Sequence, residues 1–116
     1  MIYVIFEVII NEGYMDKYLD LASELKESLM QSEGFISSER FSSIVNERKL
    51  LSLSLWENEE SVNKWRNQLK HRQYQKQGKN SAFESYTITI ASKIRSYTDI
   101  QREEAPGDSN KLFKPQ

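Results

Sequence analysis

An α+β fold with two helices on one face of an antiparallel sheet is what this sequence predicts, and three observations predict it. Stretches of period-two alternation open and close each half of the chain, a stretch with three- and four-residue steps sits inside each half, and the halves meet at a short polar turn around Asn46 and Glu47. The resulting order, strand, helix, strand, strand, helix, strand, is the split pattern of a ferredoxin-like βαββαβ sandwich. With 116 residues there is material for one hydrophobic core, residues 1–100 forming the domain and residues 101–116 a polar tail.

The first strand, Ile2 to Ile10, places Ile2, Val4, Phe6, Val8 and Ile10 on one side and Tyr3, Ile5 and Ile9 on the other. A strand that is apolar on both sides needs cover on both. After Asn11, Glu12 and Gly13, the positions Tyr14, Tyr18, Leu21, Ala22, Leu25 and Leu29 follow helical steps, with Gly34 as the stop. Phe35 to Ile44 and Lys49 to Trp56 alternate again and form a hairpin. Asn58 is the N-cap of the second helix, because Glu59 and Glu60 follow where negative charge meets the positive helix end. Val62, Trp65 and Leu69 mark its buried stripe, residues 78–81 break it, and Phe83 to Tyr97 is the fourth strand. Beyond Ile100 the polar segment with Pro106 and Pro115 is either disordered or laid across a neighbour.

With both helices on one sheet face, Tyr3, Ile5 and Ile9 face water in a monomer. An apolar face of that size marks an interface, so a homodimer with its sheets packed face to face is expected.

Composition narrows the chemistry. Absence of cysteine excludes disulfides, thiolate ligands and a cysteine nucleophile. A formal net charge of −1 gives no overall attraction to nucleic acid or membrane. The apolar opening is interrupted by Glu7, lacks a preceding basic region and is too short to span a bilayer, so a cytoplasmic protein is expected.

The segment WENEESVNKWRNQLKH, residues 56–71, holds both tryptophans and the chain's single histidine. Trp56 closes a strand and Trp65 follows nine residues later, so both can wall one pocket between sheet and helices, or both can be core anchors. His71, six residues beyond Trp65, is the natural general base, proton shuttle or iron ligand, or else a solvated side chain in a basic helix end. No second histidine or carboxylate cluster supplies a metal spacing, so no dedicated metal site is expected.

Lys64, Arg66, Lys70, Arg72, Lys76 and Lys79 form a basic run, either a solvated face or a greeting for a carboxylate-bearing ligand. Glu57, Glu59 and Glu60 immediately upstream argue against nucleic acid. Glu7 must pair, with Lys93 or Arg95 as expected partners, or act as an acid or base in a pocket. Ser52 and Ser54 share the parity of Trp56 and are available to hydrogen-bond a ligand.

LSLWENEESVNKW, RNQLKHRQYQKQGK and YTITIASKIRSY followed by REEAP together resemble the antibiotic biosynthesis monooxygenase domain family, over most of the chain up to Pro106. The resemblance implies a dimeric α+β barrel with one pocket per subunit. One group of relatives oxygenates polycyclic phenols or quinols with molecular oxygen and no cofactor. Its strand asparagine, four residues before the tryptophan equivalent to Trp56, is Ser52 here, and its tyrosine six residues after is Val62. The other group degrades haem. Trp65 matches its helix tryptophan, its first-strand asparagine falls near Phe6 or Glu7, and its iron-ligating histidine is replaced by Gln75. The resemblance therefore implies cofactor-independent oxygenation of a small aromatic or quinol-like molecule, with His71 as base and Trp56, Trp65, Ser52, Phe6 and Glu7 around the substrate. A haem enzyme or a non-catalytic ligand-binding domain are the alternatives.

Overall fold

In the computed structural model the backbone of residues 1–76 and 82–112 and the side chains of residues 1–68 and 82–111 are described. The expected break at residues 78–81 lies outside them, as do the side chains of Leu69, His71 and Gln75.

The elements run β1 (Ile2–Ile10), α1 (Met15–Met30), β2 (Phe35–Ser42), β3 (Lys49–Trp56), α2 (Glu59–Lys76), β4 (Phe83–Ser92) and α3 (Gly107–Leu112). The strands form one antiparallel sheet in the order β2-β3-β1-β4. This is the ferredoxin-like α+β sandwich that the alternating periods predict, and the most apolar strand, β1, takes a central place.

Parity along β1 decides the core. Val8 and Ile10 are 1% and 0% exposed, and they cluster with Leu50 of β3 and Tyr18 of α1, with Phe6, Tyr14, Met15 and Phe83 packed around them. Burial of each such aliphatic side chain contributes about 1.5–3 kcal/mol. A second buried group forms at the other end of the sheet, where Trp56 and Val62 are 1% and 6% exposed. Both α1 and α2 thus lie on the side of the even-numbered β1 residues. Tyr3, Ile5 and Ile9 share the opposite face with Phe41, Leu51, Leu53 and Leu55.

Local chemistry sets the joins. Asn58 caps α2 as expected, its Oδ1 accepting from the Ser61 backbone N–H at 2.9 Å and from the Ser61 hydroxyl at 3.0 Å. In the hairpin, the Asn46 Oδ1 accepts from Arg48 N–H at 3.0 Å, and the Ser43 hydroxyl accepts from Asn46 N–H at 3.2 Å.

Strand β2 ends at Ser42, two residues short of the expected Ile44, and two other boundaries differ more from expectation. Helix α1 ends at Met30, earlier than a stop at Gly34 implies, because Gln31 and Ser32 close the last turn through the Glu27 and Leu29 carbonyls. Gly34, at φ +79°, instead turns the chain into β2. Strand β4 ends at Ser92 and not at Tyr97. Among the described residues its neighbour is β1, where Ser92 pairs with Ile2; beyond that pair the Lys93 N–H still reaches the Met1 carbonyl at 3.4 Å, and there the ladder stops. The C-terminal segment carries α3 and an Arg102 side chain that donates to Asn110 Oδ1 at 2.8 Å and to the Ser109 hydroxyl at 2.6 Å. Among the described residues no helix is long and apolar enough to cross a membrane.

Candidate functional site

The helix-side face of the sheet reads as four rows across the strands. In the first row Ser42, Leu50, Val8 and Tyr86 lie side by side; in the second, Arg40, Ser52, Phe6 and Ile88. The third is Ser38, Ser54, Val4 and Ile90, and the fourth is Phe35, Trp56, Ile2 and Ser92. Successive rows are about 7 Å apart, since same-face residues are separated by two strand rises. The first row belongs to the core under α1 and the fourth to the core under α2. The middle rows form a floor between two buried clusters.

That floor is graded in polarity. Towards β2 it carries the Arg40 guanidinium and the hydroxyls of Ser38, Ser52 and Ser54; towards β4 it carries Val4, Phe6, Ile88 and Ile90. Ile88 and Ile90 are 50% and 45% exposed, so the β4 end offers open apolar surface. The Phe6 ring lies 5.8 Å from that of Tyr86. Such a surface suits a small molecule with an apolar body and a few polar groups.

The fourth row supplies the wall. Trp56 is packed edge-on against Phe35 with ring centroids 5.4 Å apart, and its indole N–H donates to the Ser54 hydroxyl at 2.9 Å. Trp65 stacks on its outer side at 6.4 Å and a 34° interplanar angle. Trp65 also borders a cleft of about 670 Å³ between the end of α1 and the start of α2, shared with Ser28, Gln31, Lys64 and Gln68. The two tryptophans therefore meet, but only Trp65 reaches open space, and Trp56 is a core anchor behind it.

The structure brings Phe6, Ser52, Trp56 and Trp65 to one face of the sheet. Glu7 it places on the opposite face, where Lys49 lies diagonally across the β1–β3 register and pairs with it at 3.4 Å. Lys49 therefore takes the place expected of Lys93 or Arg95. His71 sits on α2 with its side chain outside the described residues. In the basic run, Lys64 is engaged by Glu33 at 3.2 Å. Among the described residues no group of three histidines, cysteines or carboxylates is placed to hold a metal ion.

Two residues of this site were not singled out in the sequence. Tyr18 is 8% exposed, and burial pushes its phenol above the ordinary value of 10.0, with the Arg40 guanidinium pulling it back. Its helical step was visible, but not the identity of its neighbours. Arg40 carried only the signal of its parity with Ser38 and Ser42; its alignment with Ser52 and Phe6 depends on the register of the hairpin.

Comparison with known proteins adds the following. Residues 1–77 match the model of the family described as antibiotic biosynthesis monooxygenase. A jasmonate monooxygenase of Pyricularia oryzae is 32% identical over 107 residues, covering 90% of this chain and 49% of that protein, so the chain spans about half the length of this relative. Among solved structures, the haem degrader MhuD of Mycobacterium tuberculosis, with two haems bound in its active site, superposes with a TM-score of 0.68 at 12% identity over 84% of this chain and 100% of that one. A variant of SnoaB, a cofactor-independent oxygenase of Streptomyces nogalater, superposes with a TM-score of 0.67 at 7% identity over 82% of this chain and 94% of that one. At these identities the structural likeness speaks for the fold.

Proposed function

Since the chain belongs to the antibiotic biosynthesis monooxygenase family, we propose that it is a cofactor-independent monooxygenase of a small aromatic or quinol-like molecule. The observation that carries this reading is the graded floor between two buried clusters, with Trp65, packed on Trp56 of the fourth row, opening into the cleft between α1 and α2. An electron-rich substrate bound there, once deprotonated, reduces molecular oxygen itself, and the protein holds it, takes the proton and excludes water. His71 is the base in this proposal because it is the chain's one imidazole. Phe6 and Trp65 contact the ring system, Ser52 hydrogen-bonds a substrate oxygen, and Trp56 keeps Trp65 in place.

The test is oxygen uptake with anthrone and no added cofactor. Anthrone and one O₂ give anthraquinone and one water, the substrate methylene supplying all four electrons. Isotopically labelled O₂ should put one labelled atom into the quinone. No enzyme-dependent uptake with anthrone or with simple quinols would remove the proposal.

Haem chemistry needs an iron ligand, and the described residues of the floor and of the cleft include no histidine. A haem role would rest on His71 alone. Trp65, at the edge of a cleft as a porphyrin-contacting residue must be, is the observation that keeps this second reading, and a Soret band with haemin that is lost in His71→Ala is its signature.

The functional form is a homodimer joined through the sheet faces. Tyr3, Ile5, Ile9, Leu51, Leu53 and Leu55 share the sheet face that lies opposite both helices, an apolar surface that a second copy of the same face would cover. Leu53, between Ile5 and Glu39 on the uncovered face, is the residue to change. Leu53→Asp should give a monomer by light scattering, and a dimer that survives it would place the interface elsewhere.

A further inference from the structure

We propose that Arg40 binds a carboxylate, so that the molecule held on the sheet floor is a small amphiphilic anion. Its charged end would lie over β2 and its apolar body over β1 and β4. The inference rests on the site location given under the proposed function, not on the oxygenation chemistry.

Position is the first argument. Arg40, Ser52, Phe6 and Ile88 stand in one row on the helix-side face. Four adjacent strands span about 14 Å from first to last. A ligand of one or two rings with a carboxylate fits that length, with the hydroxyl of Ser52 between charge and apolar surface.

Availability is the second. Arg48, Lys49 and Lys64 are each paired, with Glu84 at 3.3 Å, Glu7 at 3.4 Å and Glu33 at 3.2 Å. The Arg40 side chain makes no ion pair or hydrogen bond with any described residue. The neighbouring acid, Glu39, pairs in register with Leu53 and therefore points to the opposite face. The guanidinium thus keeps its full fork of donors, the geometry that matches a carboxylate with two parallel hydrogen bonds.

Direction is the third. The charge of Arg40 is felt at the phenol of Tyr18, on the helix that borders the floor. The field of the guanidinium therefore reaches into the space where a ligand would lie, and the low-dielectric wall of the Tyr18 cluster strengthens it there.

The experiment is calorimetric titration with 2-naphthoate and with its methyl ester, a redox-inert pair that differs in charge and hardly in shape. The wild-type protein should prefer the anion by about 10- to 100-fold, the range of a charge-assisted hydrogen bond. Arg40→Met should bind both alike, and Arg40→Lys should recover part of the preference. Circular dichroism of each variant guards against misfolding, which the exposed position of Arg40 makes a small risk. Equal affinities in the wild type, absence of binding, or a preference that persists in Arg40→Met would each overturn the proposal. An Arg40-dependent preference in a protein that consumes no oxygen with any quinol would sink the oxygenase reading and leave this one standing.

Discussion

Replacing Gly34 by alanine tests the junction on which both tryptophans depend. Gly34 has φ +79°, and its carbonyl accepts from the Glu57 N–H at 2.8 Å, tying the start of β2 to the β3–α2 turn. A Cβ added there would fall on the Ser61 hydroxyl and 2.6 Å from the Ser61 Cβ. Ser61 is 6% exposed and held by Asn58, so it cannot move without disturbing the first turn of α2. The left-handed backbone costs alanine about 1–2 kcal/mol, and loss of the cap adds about 1 kcal/mol. Entropy lost from the unfolded chain returns about 0.4–1 kcal/mol. The net expectation is a loss of about 2 kcal/mol. Gly13 is the control: it has φ +82° and no heavy atom within 4 Å of the added Cβ, so alanine there meets the backbone term alone. Urea denaturation followed by tryptophan fluorescence measures both. Gly34→Ala should lose about 1 kcal/mol more than Gly13→Ala, and equal losses would refute the claim that Ser61 contact makes this junction tight.

Other consequences are as direct. Asn58→Ala removes the acceptor of two hydrogen bonds and should lower stability by about 1 kcal/mol in the same denaturation assay. Trp56→Ala empties a fully buried site and should cost about 3–5 kcal/mol. Trp65→Ala, at a half-buried position, should cost less stability yet abolish anthrone-dependent oxygen uptake; activity that survives it would detach Trp65 from the site. Tyr18 has a phenol pKa raised in the folded state, so its contribution is fully present below the unfolded value of 10.0 and is lost as pH rises from there through the folded pKa. Stability should therefore fall above about pH 10 less steeply in Tyr18→Phe than in the wild type, and parallel pH profiles would disprove the burial effect.

The hairpin shows what could be read in advance. Alternation in residues 35–56 identifies two strands, and Asn46 identifies the turn, because an asparagine that hydrogen-bonds two residues ahead closes a chain reversal by itself. Asn58 is legible for the same reason, since its capping partner is three residues away. The fold class follows from such local facts, and so does the presence of Trp56 and Phe6 on one face of their strands. The end of β4 was not legible: Phe83 to Tyr97 alternates throughout, but a strand continues only while a neighbour offers hydrogen bonds, and β1 begins at Ile2.

By itself, then, the sequence determined the four strands and two long helices, though not α3, together with their order and the side of each strand on which a residue stands, because these depend on periodicity and on bonds that span a few residues. Only the tertiary structure decided which residues share a row. It set Arg40 beside Ser52 and Phe6, gave Glu7 to Lys49, and put Trp56 in the core while leaving Trp65 at the cleft. The physical reason is register: a shift of one residue in a strand pair turns each side chain to the other face, and that choice is made by the packing of the whole sheet.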